Sequence, residues 1–175
     1  MRRLLFVSYS LLVCGSVTMA QAKPEAMTQA KPVATARHKL NSKWHCMKPS
    51  EQHQLDAGDM AGHSYGIAQG TCEATSSTTG LTEKTGQFTE SEETWTTSMK
   101  TRGDFISTLD NGDRIHYTYQ ISRQSDPAKL VPNKWRIVSG TGTHKGIKGS
   151  GICSGKSNAD DSIDWTCTGM YSLGK

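Results

Sequence analysis

The chain predicts an all-β fold: a single antiparallel eight-stranded β-barrel with two hairpin disulfides. Three observations predict it. Short runs with period-2 alternation recur, clusters of Gly, Asn and Asp separate them, and no segment carries a helical apolar stripe. The cysteines add topology. Cys46 and Cys72 stand equidistant from Asp59 in the bend Asp56-Ala57-Gly58-Asp59-Met60-Ala61-Gly62, and Cys153 and Cys167 stand equidistant from Asp160 in a second bend. Residues equidistant from a hairpin turn face each other, with Cβ atoms close enough for a disulfide. The bridges Cys46–Cys72 and Cys153–Cys167 are therefore expected.

The amino-terminal residues read as a processing segment. Arg2 and Arg3 precede the apolar run 4–13, and Ala20-Gln21-Ala22 offers a small-residue cleavage site, so residues 1–22 are expected to be a secretory signal. That run is too short for a stable membrane span. Its loss removes Cys14 and leaves an even number of cysteines, which suits a periplasmic or secreted location. Residues 23–41, where Gln21-Ala22-Lys23-Pro24 recurs as Gln29-Ala30-Lys31-Pro32, hold too little apolar surface to offset their ordering entropy. They are expected to be a disordered leader, with the barrel domain at 42–175.

The whole chain has a net charge of +4, from 20 Lys and Arg against 16 Asp and Glu. Two of the basic residues leave with the signal. The near balance that remains argues against nucleic acid or an anionic membrane as partner.

In order, the expected strands are 42–47, 63–74, 86–97, 103–109, 114–121, 134–143, 148–156 and 162–171. In the fifth, Ile115, Tyr117, Tyr119 and Ile121 alternate with polar neighbours, and Asn111-Gly112 just before it is a strong hairpin signal. Eight such strands suit a closed barrel, which removes the edges that invite aggregation; a seven- or eight-stranded sandwich is the alternative. The connection 126–133, with Pro127 and Pro132, suits a flap over one barrel end.

The glycine-rich stretch 139–151 is not a nucleotide loop. Only three residues separate Gly151 from Gly155 ahead of Lys156-Ser157, and no strand-to-helix transition follows. Gly140 with Gly142, and Gly149 with Gly151, instead leave strand faces bare for curvature or close packing, with Ile147 placed to plug a barrel end. The series Lys134-Trp135-Arg136-Ile137, Gly140-Thr141-Gly142, a short turn, Gly146-Ile147-Lys148-Gly149 and a last hairpin resembles the carboxy-terminal half of the allene oxide cyclase and dirigent barrels. The resemblance, to a bacterial-type exported member, implies an eight-stranded barrel with a ligand cavity, commonly trimeric. It carries over no catalytic residue.

Inward-facing residues of such a barrel are the candidates for chemistry. Tyr65, Ile67, Gln69, Thr71 and Glu73 share a face and are expected inside, so Tyr65 and Gln69, with Trp135, are the expected ligand contacts. On 86–97 the Phe88, Glu90, Glu92 face competes with Ser91, Glu93, Trp95. Glu90, Tyr117 and Tyr119 are the candidate catalytic groups, because a carboxyl in an apolar cavity has a raised pKa and can act as general acid or base. His45, His53 and His63 near Cys46 and Cys72 match no metal-ligand spacing, and no metal or cofactor is expected. Arg102 and Asp104 share a face as an ordinary surface ion pair. The expected function is binding of a small, largely apolar molecule, with steering or catalysis of its cyclisation or isomerisation. The alternative is a non-catalytic module that binds a protein or surface polymer.

Overall fold

A computed structural model describes residues 36–78, 80–124 and 133–174. The expected signal, most of the leader and positions 126–132 of the proline-bearing connection lie outside them. Nine strands are present: β1 (His38–Cys46), β2 (Glu51–Asp56), β3 (Ser64–Ser76), β4 (Glu83–Trp95), β5 (Ser98–Leu109), β6 (Arg114–Gln124), β7 (Asn133–Gly140), β8 (Lys148–Ser157) and β9 (Ile163–Ser172). Every pairing is antiparallel, in the order β1-β9-β8-β7-β6-β5-β4-β3, and β1 pairs back onto β3. That last contact closes eight strands into a barrel. Among the described residues no helix is long and apolar enough to cross a membrane.

Two boundaries differ from expectation. Strand β1 starts at His38, inside the segment expected to be leader, because Leu40 is buried in the barrel and pairs with Gly169. Strand β2 was not expected at all. It extends the β1 edge along β3, from Glu51 opposite Gln69 to Asp56 opposite Ser64, and all six of its residues are exposed. A strand solvated on both faces leaves no alternation to read.

Local chemistry fixes the hairpins. Between β5 and β6, Gly112 takes φ +82°, a left-handed conformation that L side chains rarely adopt, and Asn111 Oδ1 accepts the Asp113 N–H at 2.9 Å. Between β8 and β9, Asp160 Oδ1 accepts both the N–H and hydroxyl of Ser162. Both disulfides form as expected, Cys46–Cys72 across β1 and β3 and Cys153–Cys167 across β8 and β9, with each pair in direct register.

One barrel end is solid. Ile147 and Ile115 are fully buried there with Leu81, Leu109 and Ile137, and a single 3₁₀ turn at Gly142–His144 lays Ile147 across the opening. Asp113 holds that turn by accepting the Thr143 N–H and hydroxyl and by pairing with His144 Nδ1 at 3.0 Å. The expected plug is thus in place.

Candidate functional site

Above the plug the barrel is hollow. A cavity of about 300 Å³ is lined by seven aromatic side chains, Trp44, Phe88, Phe105, Tyr117, Tyr119, Trp135 and Trp165, and by both disulfides. It stays open because of glycines on adjacent strands. A Cβ at Gly70 would fall on the Phe88 ring, one at Gly103 on Tyr119 and one at Gly155 on Trp165. Each large ring therefore lies flat against bare backbone instead of projecting across the interior.

The same rule decides which face of β3 points inward. Ala68, Gly70 and Cys72 face the interior, while Tyr65 and Ile67 are exposed and Gln69 faces out with them. This corrects the expected ligand contacts: Tyr65 and Gln69 are on the outer wall. Bulk on a strand marks the core only when the facing strands are small, and here opposing rings occupy that space. On β4 the competing faces resolve the other way, with Phe88, Glu90 and Glu92 lining the cavity.

Four of the expected site residues do come together. Glu90, Tyr117, Tyr119 and Trp135 all line the cavity. Tyr119 Oη donates to Glu90 Oε2 at 2.6 Å. Tyr117 Oη donates to Glu83 Oε1 at 2.7 Å, and the Tyr117 ring meets Trp135 edge-on at 5.7 Å. Burial pushes both phenols above their ordinary range, and the adjoining Glu83 and Glu90 add to the effect. They therefore remain protonated donors.

Glu83 is the residue that sequence reasoning missed. It is only 4% exposed, and burial raises its carboxyl pKa against the hydrogen bond that Tyr117 donates to it. A register shift between Glu83 and Thr85 turns it inward although it is out of phase with Phe88 and Glu90. Strict alternation along β4 cannot find such a position.

Three polar atoms in the lining have no hydrogen-bond partner among the described residues: Trp135 Nε1, Asn133 Oδ1 and Thr101 Oγ1. Buried polar groups are normally paired, so these three atoms stand out in the lining. No group of three or more His, Cys, Asp or Glu able to hold a metal occurs among the described residues. On the outer wall, Asp104 pairs with His116 at 2.6 Å and not with Arg102.

No family model matches the chain, and no curated protein is similar to it. Among solved structures, the pterocarpan synthase dirigent protein PsPTS1 aligns at 11% identity and TM-score 0.47, covering 80% of this chain and 97% of that one. The pterocarpan synthase dirigent protein GePTS1 aligns at 12% identity and TM-score 0.46, covering 88% of this chain and 99% of that one. The closed barrel described here rests on its own strand pairing.

Proposed function

We propose that the protein is an exported barrel that binds a small, largely apolar molecule and steers its reaction by holding one conformation, without a cofactor. The observation that carries this reading is the aromatic cavity with its unpartnered buried polar atoms. A barrel built only to present its exterior has no use for an interior of about 300 Å³, the lower end of the range that small-molecule sites occupy. Rings flat on the walls supply dispersion contact, and Glu83, Tyr117, Glu90 and Tyr119 supply polar groups at fixed points. Orientation of a flexible substrate in a near-attack geometry then contributes the rate effect, with Glu83 or Glu90 as proton donor or acceptor. The two disulfides fit the oxidising compartment that export implies.

The test is titration with the neutral fluorophore N-phenyl-1-naphthylamine, read by its emission and by quenching of tryptophan. Saturable binding is expected, weakened about tenfold by Thr101→Phe, which fills the cavity from β5. Absence of saturable binding in the folded wild-type protein would remove the reading. Mass spectrometry of the protein under native conditions from its own source then identifies any copurified molecule.

A further inference from the structure

The outer wall carries a second depression, on the opposite face of strands β4 to β7 from the cavity. Its volume is about 510 Å³, and its lining includes Arg102, Lys134, Arg136, Ser91, Thr118 and Gln120. Strand register explains the grouping. Ser91, Arg102, Gln120 and Lys134 form one continuous cross-strand row, and Asp104, Thr118 and Arg136 form the next. Adjacent strands are about 4.8 Å apart, so the backbones of Arg102 and Lys134 stand about 10 Å apart. Their long side chains flank a floor of short or neutral polar groups.

The cations are available and the nearest anion is occupied. None of the three has an ion-pair partner among the described residues, whereas Asp104 is engaged by His116 at 2.6 Å. The whole-chain net charge of +4 is modest, so the concentration of positive charge here is local. Guanidinium forks bind planar carboxylates and sulfates through paired hydrogen bonds. Hydroxyl and amide groups between such forks match the hydroxyls of a sugar. The two aromatic residues that border the depression, Tyr119 and Trp135, also line the interior cavity, and the outward-facing rows themselves hold no ring for bases to stack on, which disfavours a nucleic acid.

We propose that this depression binds an acidic polysaccharide, with Arg102, Lys134 and Arg136 gripping its carboxylate or sulfate groups and Ser91, Thr118 and Gln120 meeting its hydroxyls. Its charged side chains lie on the outward face of the wall, while Tyr119 and Trp135 border both the depression and the cavity.

The test measures binding of the whole protein to immobilised heparin, polygalacturonate and neutral dextran, with single-stranded DNA as competitor. The expected result is salt-sensitive binding to heparin or polygalacturonate and none to dextran. The triple variant Arg102→Ala, Lys134→Ala, Arg136→Ala should lose at least tenfold in affinity, and Arg102→Gln with Arg136→Gln, which keeps side-chain bulk, most of that. A charge-matched control, Lys39→Ala, Lys43→Ala, Lys148→Ala, removes exposed cations elsewhere on the barrel and should bind as wild type does. Preference for heparin assigns a sulfated polymer, and preference for polygalacturonate a uronate. Equal losses in the triple variant and its control would reduce the effect to general charge and overturn the site. Displacement by single-stranded DNA at equal or lower concentration than soluble polysaccharide would overturn the ligand class, and so would absence of binding by the wild type. Retained N-phenyl-1-naphthylamine binding in every variant shows that the interior is untouched.

Discussion

The ring of Tyr119 lies across Gly103 on the neighbouring strand, and a Cβ at that glycine would fall on the ring itself. The bare backbone therefore fixes where the Tyr119 hydroxyl reaches Glu90, at 2.6 Å. Gly103→Ala should push the ring into the cavity and break that bond. The expected cost is about 1–3 kcal/mol of stability, as for other overpacked cores, with loss of saturable fluorophore binding. Unchanged binding would show that the ring relaxes elsewhere.

Glu83 gives the barrel a pH dependence of definite sign. Burial raises its carboxyl pKa in the folded protein above the ordinary 4.5, so the folded state holds that proton more tightly than the unfolded chain. The resulting stabilisation is fully present below about pH 4.5 and is lost as pH rises through the folded value. Glu83→Gln mimics the protonated form and still accepts the Tyr117 hydroxyl. Thermal midpoints measured from pH 4 upward should fall less steeply for the variant than for wild type, whereas parallel curves would contradict this account.

His63 ties the β2–β3 turn to β4. Its Nδ1 lies 2.7 Å from Asp59 and its Nε2 3.3 Å from Glu93, with the ring stacked on Trp95 at 5.2 Å. The hydrogen bond to the Asp59 carboxylate, aided by Glu93, raises the imidazole above its ordinary 6.5. The latch it contributes is complete below that value and weakens as pH climbs through the raised one. Titration of the His63 ring protons by NMR should give a midpoint above 6.5, and Asp59→Asn should lower it. A midpoint that Asp59→Asn leaves in place would exclude the pair as the cause.

The two disulfides should differ slightly in what they contribute. Cys153 and Cys167 are separated by 14 positions, and Cys46 and Cys72 by 26. Chain-entropy arguments give about 3 kcal/mol for the first and about 3.5 kcal/mol for the second. Paired Cys→Ala substitutions followed by urea unfolding should show losses of that order and rank. A loss below 1 kcal/mol for either pair would mean that the reduced chain already holds the two strands together.

Much of the fold was legible because symmetric spacing about a turn is a geometric statement. Cys46 with Cys72 and Cys153 with Cys167 follow from it directly, whereas the hairpin at Asn111-Gly112 follows from turn chemistry and Ile147 from the glycines that flank it. The phase of β3 was not legible, since Tyr65 and Ile67 look like core until Phe88 is seen occupying the space above Gly70. Glu83 escaped because a register shift breaks alternation, and β2 because no face of it is buried. Glu90, Tyr117, Tyr119 and Trp135 line the cavity, since alternation holds over the stretches of strand that carry them even though the pairing shifts at Glu83/Thr85 and at His116/Tyr117.

Both sulfur bridges open onto the same chamber, beside Trp44 and Trp165. A thiol reagent that enters through the chamber shares that space with whatever already fills it. Occupancy should therefore slow reductive cleavage of the bridges, so that a tenant molecule protects the clamps that keep its own container shut.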